Sequence, residues 1–374
     1  MKELIEHIAR HGPVSFGRFV EAALYGPDGF YSRGRGAGSH RDFVTSPEVG
    51  ALFGAVMARA LDSWWDELDC IDPFVVVEPG AGPGGLIAAV LATTPRCAPA
   101  LRWLAVERSA AMQDLQRTRR LPLVDASQIM GVLRNEPDDD EDAVFLREQG
   151  PLVAQLREMP LGADVHVIVA NELLDNLAFD VAVFEPDGWA EVRVDVVEES
   201  RFCEIFVPCS DTLREYCERF APHVPIGTRI PVQHEARAWL SDALSTVPHG
   251  RVVLIDYGAP TLELALKPHG QWLRVYRDHD RSYDPLAAPG SSDITTDVAT
   301  DQLFAVSRPT LLRTQAEFLR AHGIDEIVRD ALVEASKQAP GSLTGFRRTS
   351  FASEREILLD ANGLGAFLVM EWVR

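Results

Sequence analysis

Residues 75–92 read VVVEPGAGPGGLIAAVLA. The apolar run from Phe74 to Val77 predicts a buried strand, the glycines after it predict a tight turn, and the Ala- and Leu-rich stretch that follows favours a helix. A strand, a glycine-rich turn and a helix in this order are typical of nucleotide-binding α/β folds, in which the ligand lies at the turn. The stretch therefore predicts a small-molecule site beside these glycines.

The spacing of the glycines leaves the ligand open. Gly80, Gly82 and Gly85 fit the G-x-G-x-x-G pattern of dinucleotide-binding folds. Gly80, Gly82 and Gly84 fit the G-x-G-x-G pattern that is common in methyltransferases that use S-adenosylmethionine (SAM). Another residue has to decide between these two ligands.

Glu78, which ends the predicted strand, favours SAM. A pyrophosphate would lie over this turn, and a carboxylate about 5 Å from each phosphate charge would cost roughly 3 kcal/mol per pair at an effective dielectric of about 20. SAM has no phosphate, and its sulfonium and ammonium groups would be attracted to the carboxylate. We therefore predict SAM as the cofactor, bound by Glu78, Gly80, Gly82 and Gly84.

The rest of the chain alternates predicted strands and helices. Strands are expected at residues 101–106, 165–170 and 251–258, with a closing strand at 365–374. This alternation predicts an α/β fold with a parallel, doubly wound sheet, in which ligands bind outside the carboxyl ends of the strands. The polar residues that end the predicted strands should meet there: Glu78, Glu107, Asn171 with Glu172, and Asp256.

These strand ends suggest distinct roles. Glu107 is placed to accept hydrogen bonds from ribose hydroxyls, which SAM and dinucleotides share. Asn171 and Glu172 could together orient a substrate N–H group and stabilise positive charge on it. The same two residue types also suit a helix cap and a first helical turn, so a structural role stays open. Asp175 and Asp256 are further catalytic candidates.

The chain has 374 residues, which is enough for one large core with insertions or for two domains. We expect an N-terminal helical extension with a long loop at residues 1–70 and a main domain at 71–374. The loop, residues 31–48, is long enough to act as a lid. Two insertions are expected in the main domain: an acidic one at about 121–150, and a hairpin with helices at about 180–248.

Charge and cysteine content limit the class of partner. The formal net charge of −20 argues against a nucleic-acid or anionic-membrane partner and favours a basic one. Five cysteines without a C-x-x-C motif predict neither disulfides nor a metal site. No run approaches the roughly 20 apolar residues of a membrane span. We expect a cytoplasmic protein, and a homodimer stays open.

Several motifs together resemble the MidA family, the bacterial relatives of the mitochondrial complex I assembly-factor methyltransferase. They are LYGPDGFYSRG (24–34), RDFVTSPEVGALFG (41–54), VVEPGAGPGGL (76–86), ANELLDNL (170–177), LIDYG (254–258) and TQAEFL (314–319). The resemblance implies a Rossmann-like class I SAM-dependent methyltransferase fold, with a protein arginine as the methyl acceptor of the mitochondrial member. Within the second motif we expect Thr45, Ser46 and Pro47 at the cofactor.

One stretch departs from the family. Where relatives resemble D-I-T-A-H-V-D-F, this chain reads DITTDVAT at residues 293–300, so Asp297 replaces a histidine and the second aspartate is missing. A different acceptor would fit this change. An assembly or scaffold protein that binds SAM with little catalysis would fit it too. A nicotinamide-dependent oxidoreductase is a third candidate, which Glu78 disfavours.

Overall fold

The computed structural model describes residues 1–34, 45–133, 149–198, 200–277, 280–282, 284–337 and 343–374. Most of the expected lid loop and the acidic run at 135–142 lie outside these ranges.

A seven-stranded sheet forms the centre of the molecule. Its strands, in chain order, are β1 (Phe74–Pro79), β2 (Leu101–Val106), β3 (Leu152–Leu156), β4 (Val167–Asn171), β5 (Arg251–Asp256), β6 (Leu311–Thr314) and β7 (Leu368–Val373). Their spatial order is 3-2-1-4-5-7-6. Strand β7 runs antiparallel to β5 and β6, whereas β1 to β5 are parallel. The predicted doubly wound α/β fold and its closing strand are confirmed.

The strands β1 and β2 are buried along their whole length, since helices cover both faces of the sheet. One face packs against helices Ala51–Glu67, Gly85–Leu91, Gln315–Ala321, Ile324–Ser336 and Leu343–Leu358. The other packs against helices Ala126–Leu133, His234–Thr246 and Thr300–Phe304. The strand order reverses between β1 and β4, which places a ligand-binding crevice at the carboxyl ends of these two strands.

The predicted hairpin is confirmed and belongs to a second, antiparallel sheet. Strands Asp180–Glu185 and Gly188–Val197 pair with Glu185 opposite Gly188, so Pro186 and Asp187 form a two-residue turn. The sheet is completed by strands Val14–Ser15, Arg201–Pro208 and Arg229–Val232.

The N-terminal segment is divided between two hydrophobic cores. Helices Lys2–His11 and Phe16–Tyr25 pack on the second sheet, whereas helix Ala51–Glu67 packs on the central one. The first two helices are thereby joined to the inserted hairpin, about 170 residues away in the chain.

The remaining elements are short. The strands are Gly258–Ala259 with Val298–Ala299, and Leu273–Arg277 with Asp280–Ser282 and Asp293–Thr296. The α-helices are Ser46–Val49, Ala110–Thr118, Asp211–Phe220, Thr261–Ala265 and His269–Trp272. The 3-10 turns are Tyr31–Arg33, Ala98–Ala100, Leu174–Asn176 and Leu364–Ala366. Within the described ranges, every helix is too short or too polar to cross a bilayer.

A buried ion network joins the last three strands. Glu371 on β7 is fully buried, and its two carboxylate oxygens accept hydrogen bonds from Arg251 on β5 at 2.9 Å and from Arg313 on β6 at 2.6 Å. Because one carboxylate serves two guanidinium groups, its removal leaves two cations without this partner.

We expect Glu371→Ala to lower the free energy of unfolding by about 3 to 5 kcal/mol, the typical cost of removing one partner of a buried ion pair. Urea denaturation measures this change. Glu263→Ala, which breaks the exposed ion pair with Lys267, is the control and should leave the free energy of unfolding unchanged within error. Equal effects of the two variants would contradict the structural role of the network.

Candidate active site

A cavity of about 550 Å³ lies at the carboxyl ends of β1, β2 and β4. This volume is typical of a small-molecule site. The predicted site residues that line it are Thr45, Pro47, Glu78, Gly80, Gly82, Glu107, Asn171 and Glu172. Four other predicted residues do not line it: Ser46, Gly84, Asp175 and Asp256.

The glycine turn after β1 needs glycine for its backbone conformation. Gly80, Gly82 and Gly84 have φ angles of 68°, 50° and 76°, in the left-handed region that other residues adopt only at a cost. Gly82 lines the cavity, and a Cβ built on it would meet no atom closer than 3.9 Å. The glycine at this position therefore leaves space for a ligand beside the backbone.

Glu78 presents a buried carboxylate to the cavity. Glu78 is only 6% exposed, and its Oε2 accepts a hydrogen bond of 3.0 Å from Trp103 Nε1 on the neighbouring strand. Burial raises the pKa of Glu78 to about 8, although the bond from Trp103 opposes this shift. A cationic ligand in the cavity would stabilise the ionised carboxylate.

Glu107 fixes the glycine turn in addition to facing the cavity. Its Oε2 accepts a hydrogen bond from the Gly82 N–H at 2.9 Å, and its Oε1 accepts one from the Ser109 N–H at 2.8 Å. Burial raises the pKa of Glu107, and the two backbone donors act against that rise. Each oxygen keeps a second lone pair, so the carboxylate can still accept hydrogen bonds from ligand hydroxyls.

Asn171 ends β4, Glu172 follows it, and the next helical turn starts only at Leu174 with Leu173 as its N-cap, so the capping alternative is wrong. Glu172 has a φ of 51°, a strained conformation for a residue with a side chain. Its Oε1 accepts hydrogen bonds from the Ser46 N–H at 3.3 Å and the Asn171 amide at 3.2 Å. Asn171 Oδ1 is buried and has no hydrogen-bond partner in the described part of the chain.

The electrostatic surroundings of Glu172 favour a cationic ligand. Burial raises its pKa to about 8, and the nearby negative charge of Asp175 adds to this rise. A strained backbone, a partly buried carboxylate and an unsatisfied amide oxygen at one strand end are typical of a binding or catalytic site.

Asp256 holds the loop that carries these residues. Its Oδ2 accepts hydrogen bonds from the N–H groups of Leu174 at 3.0 Å and Asp175 at 3.4 Å, and its Oδ1 accepts one from the Tyr257 N–H. Burial and the neighbouring carboxylates raise the pKa of Asp256. With its oxygens engaged in this way, Asp256 is suited to shaping the loop.

Asp175 and Ser46 lie behind the cavity wall. Asp175 Oδ2 accepts a hydrogen bond of 2.5 Å from the Tyr257 hydroxyl, while Oδ1 is buried without a partner among the residues described. Ser46 starts the helix Ser46–Val49, its Oγ donates to Gln315 Oε1 at 2.9 Å, and its N–H holds Glu172. Ser46 thus supports Glu172 from outside the cavity.

Two tyrosines of the N-terminal extension line the cavity, and sequence reasoning did not select them. Tyr25 stacks on Tyr31 with ring centroids 5.5 Å apart, and the Arg108 guanidinium lies 4.5 Å from the Tyr25 ring centre. The Tyr31 hydroxyl lies 3.1 Å from both Asn176 Oδ1 and Asp293 Oδ1. Both tyrosines fall in the LYGPDGFYSRG motif, which was the available signal.

The opposite wall is partly apolar. The apolar lining residues are Met159, three residues after the end of β3, Trp239 of helix His234–Thr246, Leu173 and Leu177. A flat aromatic ligand group would find thioether and indole surface there. No group of three or more His, Cys, Asp or Glu side chains is arranged for a metal ion within the described ranges.

Residues 56–315 match a family model described as "Putative S-adenosyl-L-methionine-dependent methyltransferase". Among curated proteins, the chain is similar to the mitochondrial protein arginine methyltransferase NDUFAF7. The rat (Rattus norvegicus) protein is 25% identical over 344 residues, which cover 87% of this chain and 74% of the relative. The zebrafish (Danio rerio) protein is 26% identical over 345 residues, covering 87% and 76%.

The fold is shared with a solved structure from Burkholderia thailandensis. That protein, bound to S-adenosyl-homocysteine in its crystal structure, superimposes with a TM-score of 0.78 at 23% identity and covers all of this chain and 91% of its own. A native crystal structure from the same organism gives a TM-score of 0.75. These matches confirm the predicted Rossmann-like class I methyltransferase fold.

We expect Gly82→Val to abolish SAM binding while the protein stays folded, because the new side chain would occupy ligand space beside the turn. Isothermal titration calorimetry measures the binding. Gly227→Val is the matched control: Gly227 also has a positive φ, of 85°, with no atom within 4 Å of a built Cβ, and it lies outside the cavity, in the turn before strand Arg229–Val232. Both variants carry similar backbone strain, so loss of binding in both would contradict a direct role of Gly82.

SAM binding should release protons. In the free protein the pKa of Glu78 and of Glu172 is about 8, so both are largely neutral at pH 7, and a cationic ligand favours the ionised forms. Affinity should therefore rise between pH 6 and pH 8, by at most about tenfold per pH unit for each proton released.

Calorimetry in buffers of different ionisation enthalpy counts these protons. S-adenosylhomocysteine, which lacks the sulfonium charge, is the matched ligand and should release fewer. Equal proton release by the two ligands would show that neither glutamate responds to the sulfonium.

Proposed function

This chain belongs to the family of SAM-dependent methyltransferases that the model over residues 56–315 describes, and we propose that it methylates a side-chain nitrogen, that of an arginine, in a protein substrate. SAM is its cofactor. The relatives named above are protein arginine methyltransferases, and their similarity over 87% of this chain supports a protein acceptor.

The residues that line the cavity suit this cofactor. Glu78 and Glu107 supply buried carboxylates for an ammonium group and ribose hydroxyls, and the turn around Gly82 allows close backbone approach. Met159 and Trp239 supply apolar surface for an adenine ring. When bound, SAM would supply an electrophilic methyl group: its S–CH3 bond breaks as the N–C bond forms, S-adenosylhomocysteine leaves, and the acceptor nitrogen loses a proton.

The observation that carries the arginine assignment is the pair of hydrogen-bond acceptors at the end of β4. Glu172 lines the cavity with a partly buried carboxylate, and the adjacent Asn171 Oδ1 has no donor in the described part of the chain. A guanidinium has five N–H donors in a planar fork and no acceptor, so it can engage both atoms at once. Such a two-point contact fixes which nitrogen is presented for reaction.

The charge of Glu172 also suits an arginine. Its pKa of about 8 belongs to the free protein, and a guanidinium beside it would lower this value and favour the carboxylate. Glu172 would then orient the acceptor nitrogen and stabilise positive charge on it, with Asp175 as the candidate group for the departing proton.

The whole-chain charge is consistent with a basic protein segment as the partner. The formal net charge is −20, and an acidic surface favours encounter with Lys- and Arg-rich segments. The expected cytoplasmic location, the absence of a nucleic-acid or membrane partner, and a homodimer stay predictions. The second candidate function, SAM binding for assembly without turnover, is motivated by Asp297, which replaces the histidine of relatives.

We expect Glu172→Gln to retain SAM binding and to lose at least about 100-fold of the protein methylation, because it keeps the side-chain size and removes the charge. The assay follows labelled methyl transfer from SAM into proteins of a lysate from cells that lack the gene, with amino-acid analysis for methylarginine. Glu191→Gln is the control, since Glu191 is similarly shielded, with its side chain 15% exposed, and lies in the second sheet.

Three outcomes separate the candidates. Methylarginine with the wild type and the control but not with Glu172→Gln supports the proposal. Full activity of Glu172→Gln, or label on small molecules or nucleic acid alone, would overturn it. SAM affinity without transfer to any protein would favour the assembly role.

A further inference from the structure

A row of charged and aromatic side chains that do not line the cofactor cavity leads to Asp175. The Tyr257 hydroxyl donates to Asp175 Oδ2 at 2.5 Å. The guanidinium of Arg274, on strand Leu273–Arg277, lies 4.6 Å from the centre of the Tyr257 ring and forms an ion pair with Asp297. The contacts thus run from Asp297 through Arg274 and Tyr257 to Asp175.

We propose that Arg274 and Asp297 are positioning residues for methyl transfer: they hold Tyr257, and through its hydroxyl they orient Asp175 towards the acceptor. This inference rests on the proposed function. Tyr257, Arg274 and Asp297 do not line the cofactor cavity, so their effect on the reaction would be transmitted through Asp175.

The geometry of Asp175 supports an acceptor-side role. Its Oδ1 is buried and lacks a hydrogen-bond partner among the residues described. The same is true of Oδ1 of Asn171, which lies three residues before the 3-10 turn Leu174–Asn176 that contains Asp175. Asp175 does not line the cofactor cavity, while Glu172 does. Asp175 is three residues after Glu172 and its charge acts on the Glu172 carboxyl group, so it lies close to the proposed acceptor site.

Each contact in the row restricts the next. The Arg274 side chain is 18% exposed and that of Asp297 12%, so the ion pair is largely shielded from solvent. The guanidinium over the Tyr257 ring limits ring rotation and contributes a cation–π attraction. A ring held in this way keeps its hydroxyl on Asp175 Oδ2, while Oδ1 stays buried without a hydrogen-bond partner among the residues described.

The row shows which contacts Asp297 makes at the position where the family resemblance leads us to expect a histidine. In this chain the residue there is an aspartate whose charge is matched by Arg274. The charge of Arg274 also acts on Asp175 itself, as one of the cations that favour its ionised form. The Asp297–Arg274 pair is therefore connected to the β4 loop through Tyr257 and Asp175.

The ionisation of Asp175 gives a readout that a purely structural role would not move. Burial and Asp297 raise its pKa, to about 6, whereas the Tyr257 hydrogen bond and Arg274 lower it. The other titratable groups around it are Glu172, Asp256 and Tyr31. Removal of the Arg274 cation makes the carboxylate less favourable, so the pKa of Asp175 should rise and the acid limb of the pH–rate profile should move to higher pH.

The test compares Arg274→Met, Arg274→Lys, Tyr257→Phe and Asp297→Asn. Arg274→Met and Tyr257→Phe should lower kcat/KM for the protein acceptor about 10- to 100-fold, leave the SAM dissociation constant unchanged and move the acid limb upwards. Arg274→Lys, which keeps the cation, should leave the acid limb in place. Asp297→Asn should lower kcat/KM without moving the acid limb to higher pH, because Arg274 and its charge remain.

Arg229→Met is the matched control. Arg229 has a side chain 16% exposed, pairs with Glu204, and lies 5.5 Å from the Phe206 ring centre, but it belongs to the second sheet. The control should retain full kcat/KM and an unchanged pH profile. If Arg274→Met behaves like Arg229→Met while the wild type methylates protein, the proposal is overturned and the proposed function stands.

A direct titration decides the inference if no protein is methylated. Carbon-13 labelling of aspartate carboxyl groups, with the Asp175 signal assigned from Asp175→Asn, measures the pKa of Asp175 by NMR. An upward shift in Arg274→Met and Tyr257→Phe, absent in Arg229→Met, supports the positioning row. An unchanged pKa in both variants overturns it.

Discussion

The active site depends on the burial of several carboxylates at one edge of one sheet. Strands β1, β2, β4 and β5 run in the same direction, so their carboxyl ends bring Glu78, Glu107, Glu172 and Asp256 to the same end of the sheet, where all but Asp256 line the cavity. Burial raises the pKa of all four, to about 8 for Glu78 and Glu172. Sheet topology thus brings together carboxyl groups whose ionisation is costly without a cation, and a cationic cofactor and a cationic acceptor would both reduce that cost.

The same carboxylates organise the loops around them. Glu107 binds backbone N–H groups on both sides of the crevice, at Gly82 and Ser109, and Asp256 binds those of Leu174, Asp175 and Tyr257. Each acid therefore fixes a turn that carries other site residues. Cofactor binding and loop geometry are coupled for this reason, since a change in the ionisation of either acid alters the hydrogen bonds that hold its loop.

The sequence was sufficient to predict the α/β fold and the strand ends, because both follow from local patterns: apolar runs, the glycine turn and polar residues after strands. It was insufficient for contacts between distant segments. Tyr31 meets Asp293 across 262 residues, and helices near the N-terminus pack on a hairpin inserted after β4. Asp175 and Asp256 looked equivalent as catalytic candidates, yet one has an unpartnered oxygen among the described residues and the other binds three backbone N–H groups. Such differences arise from tertiary packing, which residue spacing does not encode.

Position 297 shows that the effect of a substitution in a motif depends on the residues that surround it in the structure. From the sequence, an aspartate in place of the family histidine suggests a lost function. In the structure, Asp297 pairs with Arg274, and Arg274 lies over Tyr257, whose hydroxyl binds Asp175. Arg274 is 23 residues from Asp297 and belongs to none of the motifs that resemble the family. A charge introduced at a motif position can be matched by a residue outside the motif, so the consequence of the substitution depends on the pair and not on either residue alone.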